Sequence, residues 1–168
     1  IYQFITVLRK LLDADLYHKA FVFWDGELSG QLRYNIYHDY KSNRNKDYVN
    51  GTHPIDESEL SQKLQIKRYL EELFIRQYED KIVESDDIIA YVCNNKKSNE
   101  KITICTSDRD LCQLIDSNVR IYMCDLKQYI TLENYNQFFK HHQSNAALMK
   151  IFCGDNSDCI KGIKRLGE

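Results

Sequence analysis

The chain has no C-x-x-C pair and no cysteine–histidine set with zinc spacing, although it holds six cysteines in 168 residues. A zinc-built fold is thereby excluded. Several of Cys93, Cys105, Cys112, Cys124, Cys153 and Cys159 sit inside apolar runs, where a free cysteine packs as a small core residue. The expectation is a reducing, cytosolic setting without disulfides. No apolar run is long enough to span a membrane, and no stretch reads as a signal peptide. Proline occurs once, at Pro54, and there is no internal repeat or low-complexity tract. Nor is there an excess of basic charge. With 23 Lys plus Arg against 25 Asp plus Glu, the formal charge is −2. Taken whole, that balance does not look like a nucleic-acid binder.

What the chain does have is acid at the ends of apolar segments. Asp25 follows Phe21-Val22-Phe23-Trp24. Glu84, Asp86 and Asp87 precede Ile88, Ile89 and Val92, whose spacing is helical. Asp108 and Asp110 follow Ile102 to Cys105, a β-branched run of the kind found in buried parallel strands, and precede Leu111, Leu114 and Ile115 at helical spacing. Asp155 and Asp158 follow Met149 to Gly154. In α/β sheets, the edge where strand gives way to helix is where ligands bind. The plainer reading is helix capping, and Ser107 with Asp110 has the form of a capping box. Four such groups are hard to explain as four separate caps. Brought together they would repel unless cations neutralised them. Carboxylates without a His or Cys set point to magnesium or manganese.

These motifs, in this order, resemble the 5′-nuclease family: flap endonucleases, the 5′-nuclease domain of bacterial DNA polymerase I, and phage 5′–3′ exonucleases. The matching residues are Asp25-Gly26, Tyr40-Lys41-Ser42-Asn43-Arg44, Glu84-Ser85-Asp86-Asp87, Ser107-Asp108-Arg109-Asp110-Leu111 and Gly154-Asp155-Asn156-Ser157-Asp158 with Ile160 and Gly162. Each alone is weak, whereas five in sequence from Phe21 to the C-terminus are specific. The resemblance implies an α/β fold of the PIN-like type, a mostly parallel central sheet flanked by helices. It implies one incomplete domain over 1–168, with an arch over 45–73 and the start of a helix–turn–helix-type DNA-binding motif over 154–168. The family opens on a strand carrying Asp-Gly, which this sequence lacks, so the chain is expected to be a fragment with little activity of its own.

The resemblance also implies roles. Asp25, Glu84, Asp86 and Asp108 would serve one magnesium ion, and Asp110, Asp155 and Asp158 a second, with Asp87 reaching metal through water. Two Mg2+ or Mn2+ ions would activate a water and stabilise the leaving 3′ oxygen. Lys41 and Arg44 would stabilise the scissile phosphate, as point charge and as planar fork. Arg33, Lys46, Lys63, Lys67 and Arg68, together with Lys161, Gly162, Lys164 and Gly167, would meet DNA, the last group with K+. Tyr34 or Tyr40 would either stack on a terminal base or pack in the core. A Pro common in the family two residues before Lys41 is Asp39 here. Lys164 and Arg165 stand where Pro and Gly are commoner. Setting aside the eight metal-site acids leaves 17 acids against 23 Lys plus Arg. The remainder of the chain is then +6, as suits an acidic pit inside a phosphate-binding surface.

Between the motifs, apolar positions at Phe4, Ile5, Leu8, Leu11 and Leu12 predict an amphipathic helix over 1–17. A strand is expected over 20–24, mostly helix over 28–40, and a loop over 45–56. Leu60, Leu64, Ile66, Leu70 and Leu73 predict a helix over 57–73. Strands are expected over 74–78 and 119–124, and short helices over 132–139 and 144–152. His141 and His142 read as surface residues. The function so implied is a monomeric, metal-dependent 5′–3′ exonuclease or flap endonuclease of a bacterial or phage-infected cell. Its partners would be DNA with a 5′ flap or 5′ end and RNA–DNA primers, with no membrane. Two alternatives stay open: a non-catalytic DNA-binding replication module, and a PIN-like ribonuclease.

Overall fold

The computed structural model describes residues 1–14, 17–43 and 57–164. They form two compact units. The first comprises 1–30 and 47–85, and the second 31–46 and 86–168.

The first unit opens with helix α1 (Tyr2–Ala14), which buries Leu11. Strand β1 (Phe21–Asp25) follows, then helix α3 (Glu57–Glu72) and strand β2 (Arg76–Asp80). β1 and β2 pair in parallel, with Asp25 opposite Asp80. The crossover through α3 is what parallel pairing demands. Of the apolar stripe expected on α3, only Leu70 is fully buried, whereas Leu60, Leu64 and Leu73 are exposed. Polar bonds do much of the docking. Trp24 Nε1 donates to Gln77 Oε1 at 2.9 Å, and Gln77 Nε2 donates to the Lys67 carbonyl at 2.9 Å. Phe74 does not begin the strand. Its φ of 55° makes it part of the turn that ends α3, and β2 starts two residues later. Gly26 passes so close to β2 that a Cβ there would lie 1.9 Å from the Asp80 carbonyl oxygen, so no other residue fits.

The second unit contains α2 (Gln31–Ile36), far shorter than the helix expected over 28–40. Helix α4 (Ser85–Asn94) starts at the unit boundary with Asp86 and Asp87 in its first turn, where the helix dipole favours acid. Next come strands β3 (Ile102–Thr106), β4 (Val119–Met123) and β5 (Gln128–Ile130), then helices α5 (Tyr135–Phe138) and α6 (Ala146–Cys153). β3 and β4 are parallel, while β5 returns antiparallel to β4. Leu111, Leu114 and Ile115 were expected on an α-helix. Asp110–Leu114 is instead a 3₁₀ turn, which still buries Leu111 and Cys112. The core gathers around β4: Ile121 and Met123 are fully buried, beside Cys93, Ile104, Ile115, Val119, Ile130 and Tyr135. The chain is thus α/β, but among the described residues its strands pair as sets of two, three and two and not as one sheet. The last set is a small antiparallel hairpin, β6 (Gly154–Asp155) with β7 (Ile160–Lys161), where a helix–turn–helix opening was expected. No described helix is long and apolar enough to cross a membrane.

Two substitutions probe the second unit. Ile121→Ala removes a side chain with no exposed surface and should cost about 3 kcal/mol in urea unfolding, from lost burial plus the cavity left behind. Asp116 tests charge. Burial pushes its carboxyl up, but Lys96 and the backbone N–H groups of Asn118 and Val119 outweigh this and hold it below its ordinary 3.8. A depressed carboxylate stabilises the fold above its ordinary value, and that contribution is lost as pH falls through the folded value. Asp116→Asn should therefore cost on the order of 1 kcal/mol at neutral pH, modest because the side chain is 45% exposed. The cost should vanish in acid. A difference that stays constant from pH 7 to pH 2 would show that the charge contributes nothing.

Candidate metal centre

Three carboxylates come together in the second unit. Oxygens of Asp110, Asp155 and Asp158 all lie within 4.8 Å of one another. Among the described residues they are the one group of three or more His, Cys, Asp or Glu that could share an ion. Each is placed by its backbone. Asp110 opens the 3₁₀ turn after β3, and its N–H donates to Asp108 Oδ1 at 2.8 Å. Asp108 in turn donates its N–H to Thr106 Oγ1 at 2.9 Å. Asp108, and not Ser107, supplies the side-chain oxygen at the start of the turn, whose N-cap residue Arg109 makes no side-chain cap bond. Asp155 follows α6 in the hairpin strand β6, and its Oδ1 accepts the Ser157 N–H at 2.8 Å and the Ser157 hydroxyl at 2.6 Å.

The hairpin holds this geometry by contacts that only glycine permits. Gly154 has φ 77°, and a Cβ on Gly162 would lie 2.1 Å from the Cys153 carbonyl oxygen. Gly162 was assigned to DNA binding from the sequence; here its visible task is to let β7 close on the end of α6. Lys161 and Lys164 flank it.

A cation already faces the cluster. Lys150, in the last turn of α6, sets its ammonium against both Asp110 and Asp155. Partial burial raises the Asp155 carboxyl, but hydrogen bonds from Lys150 and Ser157 outweigh it and hold the group at about 2. Burial likewise lowers Lys150, and its two acid partners more than offset this, so its pKa is raised. No sequence motif points to Lys150. The available signal was position: a lysine five residues before Asp155, on the helix that delivers it.

The Tyr40-Lys41 motif, more than a hundred residues earlier, is tied to the same loop. Lys41 N–H donates to the Asp158 carbonyl at 3.1 Å, with Lys41 in the left-handed region at φ 52°. Tyr37 Oη donates to the Cys159 carbonyl at 3.2 Å, and Asn43 Nδ2 to the Asn156 carbonyl at 3.4 Å. Lys41 Nζ lies 4.7 Å from the centre of the Tyr40 ring. Beside Asp158 is a cleft of about 400 Å³, lined by Arg33, Lys161, Tyr37, Tyr40, Ile36 and Ile160. Tyr34 packs edge-on against His38, 5.1 Å between ring centres.

The other expected residues lie as follows. Asp87 accepts a bidentate ion pair from Arg33, at 2.7 and 2.8 Å. Asp86 stands beside it in the first turn of α4. Asp25 and Glu84 belong to the first unit. Within the first unit Asp25 Oδ1 accepts the Ser85 N–H at 2.8 Å, 60 residues away. Glu84 is the one buried charged side chain among the described residues. Lys63 donates to the Asp25 carbonyl at 3.0 Å and to Glu79 at 2.9 Å, Lys67 pairs with Glu79, and both ammonium groups lie within 5.6 Å of the Trp24 ring centre. Arg68 is on α3 and exposed. Arg44, Lys46 and Gly167 lie outside the described residues, as do the 45–56 part of the arch and residues 165–168 of the C-terminal motif.

A family model described as the N-terminal resolvase-like domain of 5′-3′ exonucleases matches residues 1–143. The chain belongs to that family. It is 30% identical over its full length to a 5′-3′ exonuclease of Mycoplasmopsis pulmonis, of which it covers 54%. It is 28% identical over 94% of its length to the flap endonuclease Xni of Pseudoalteromonas translucida, covering 58% of that protein. Against a DNA polymerase I of Caldicellulosiruptor bescii it is 29% identical over its whole length and covers 20% of the polymerase. The chain thus spans about half the length of the exonucleases it matches. The fold agrees with that of the D15 protein of bacteriophage T5 co-crystallised with metal ions, with a TM-score of 0.77 over 99% of this chain and 64% of that one, at 20% identity. A second structure is the T5 D15 flap endonuclease in complex with DNA and metal ions, with a TM-score of 0.78 and 17% identity.

If Lys150 stands where a cation belongs, removing it should open the site to metal. Lys150→Met should tighten Mn2+ binding ~10-fold, the effect of deleting one like charge in a partly exposed site. Electron paramagnetic resonance of free Mn2+ reads this directly. Unchanged affinity would mean that the lysine is a surface partner and not a competitor for the metal.

Proposed function

We propose that this chain forms the metal-binding part of a structure-specific 5′–3′ exonuclease and flap endonuclease, acting on DNA with a 5′ end or flap. The observation that carries the reading is the meeting of Asp110, Asp155 and Asp158 within 4.8 Å, with Lys41 bonded through its backbone to Asp158. Three carboxylates are a hard-oxygen donor set suited to Mg2+ or Mn2+. A divalent ion bound there supplies an activated water and offsets charge on the phosphate.

The chain's own residues divide the remaining work. Asp110, Asp155 and Asp158 hold the ion. Lys41 lies on the segment tied to that loop and meets the charge that grows on the scissile phosphate. Arg33 and Lys161, on the cleft beside Asp158, attract the DNA backbone, and the Tyr37 and Tyr40 rings offer a stacking surface for a base. Asp25, Glu84, Asp86 and Asp108 serve a further ion, and Asp87 reaches it through water. Arg44 assists Lys41. Lys46, Lys63, Lys67 and Arg68 contact the single strand, with Lys63 and Lys67 exchanging Glu79 for phosphate. Gly162, Lys164 and Gly167 contact duplex phosphates together with K+. RNA–DNA primers are a second substrate, and the protein works as a monomer in the cytoplasm of a bacterium or phage-infected cell.

The test is single-turnover cleavage of a 5′-flap duplex in magnesium by the protein that carries this chain, paired with DNA binding in calcium. Asp110→Asn and Asp155→Asn should abolish cleavage but keep binding, because removing an anion also removes repulsion from phosphate. Lys41→Ala should slow cleavage by ~100-fold or more and weaken binding much less, as for a group that acts on the transition state. Normal cleavage by Asp110→Asn and Asp155→Asn would reduce the cluster to loop structure. Binding without any magnesium-dependent cleavage by the unaltered protein would favour a DNA-binding module.

A further inference from the structure

Cys105 and Cys124 bring their sulfurs to 3.3 Å in the second unit. Cys105 is the fourth residue of β3, and Cys124 directly follows β4. The parallel register sets Cys105 opposite Tyr122 and Thr106 opposite Met123, and Cys124 N–H donates to the Thr106 carbonyl at 2.8 Å. The pair therefore bridges two neighbouring strands at their C-terminal ends. The other cysteines of this unit's core, Cys93 and Cys112, are buried, whereas Cys105 is exposed and Cys124 half-buried. Cys105 and Cys124 are thus the less buried of these four cysteines.

We propose that Cys105 and Cys124 form an oxidisable dithiol that closes to an intrastructural disulfide by exchange with a low-molecular-weight disulfide. One cysteine, as thiolate, attacks a sulfur of the small disulfide, forms a mixed disulfide and expels one small thiol. The second cysteine, giving up its proton to solvent, attacks the protein sulfur of that mixed disulfide and expels the other small thiol. Two cysteine thiols are oxidised and one small disulfide is reduced to two thiols. To reach bonding distance the sulfurs have only to approach by about 1.2 Å, since a disulfide is about 2.05 Å long. Desolvation, and then the bond to Cys124, push the Cys105 thiol up to about 12. Both effects favour the protonated form and slow every step that starts from a Cys105 thiolate, exchange included. Exchange closed by an adjacent sulfur gains from proximity. The disulfide would tie β3 to β4 three residues before Asp108, independently of any metal.

The reduced chain is incubated with oxidised glutathione, alkylated, digested with trypsin and mapped by mass spectrometry. Cleavage after Lys101, Arg109, Arg120 and Lys127 puts Cys105 in peptide 102–109, Cys124 in peptide 121–127 and Cys112 between them. The expected product is a disulfide joining 102–109 to 121–127, with loss of two hydrogens per chain and no retained glutathione. Cys105→Ser and Cys124→Ser should each abolish it, and Cys112→Ser should keep it. Should a serine variant fail to fold, the map of the unaltered chain decides alone. Stable glutathione adducts on both cysteines, or links through Cys93 or Cys112 in place of this one, would overturn the assignment.

Discussion

Carboxylates crowded at the ends of strands and helices repel one another, and the structure is arranged so that each has something to offset its charge. Lys150 faces Asp110 and Asp155. Arg33 grips Asp87 with both guanidinium arms. Lys63 and Lys67 converge on Glu79. Asp25 accepts the Ser85 N–H. Exposed pairs of this kind each contribute at most about 1 kcal/mol. On the proposed function their weakness is useful, because an ammonium held by partly exposed carboxylates could be exchanged for a metal or a phosphate at small cost.

The acids are useful only if the backbone delivers them together, and that is a task of turns. Asp108 holds the N–H of Asp110, and Asp155 holds those of Ser157 and Asp158. Gly154 and Gly162 allow the hairpin to fold against the end of α6 at distances no Cβ would tolerate. Lys41 adopts a left-handed conformation and donates to Asp158. Two loops more than a hundred residues apart are thus joined by three hydrogen bonds that carry no side-chain signature in the sequence beyond the motifs themselves.

Much of this was legible in advance. Apolar and β-branched runs located β1, β3 and β4, the helical spacing of Ile88 to Val92 located α4, and of the acids at the ends of apolar segments Asp110, Asp155 and Asp158 meet in the candidate site. Each departure has its own physical cause. Leu60, Leu64 and Leu73 gave α3 a convincing apolar stripe, yet only Leu70 is buried; a period specifies a face and not what covers it. Leu111 to Ile115 fitted a helix, but the twelve residues between β3 and β4 hold only a five-residue 3₁₀ turn. β5 is three residues long and went unnoticed; its register is set by β4 and not by its own composition. Lys150 escaped because a lone lysine on a helix is usually a solvated charge.

Capping bonds and the proposed metal chemistry fall on overlapping sets of these acids. Asp25 and Asp108 each give an oxygen to a backbone N–H, at 2.8 Å in both cases. Asp110 faces an ammonium. Asp155 does both: Oδ1 accepts from the Ser157 backbone and hydroxyl while Oδ2 faces Lys150. An acid fixed through one oxygen presents the other in a set direction, so the capping bond is what makes the second oxygen a usable ligand. Capping therefore does not compete with the metal binding proposed for Asp155. It supplies the preorganisation that a metal site built from flexible carboxylates would otherwise lack.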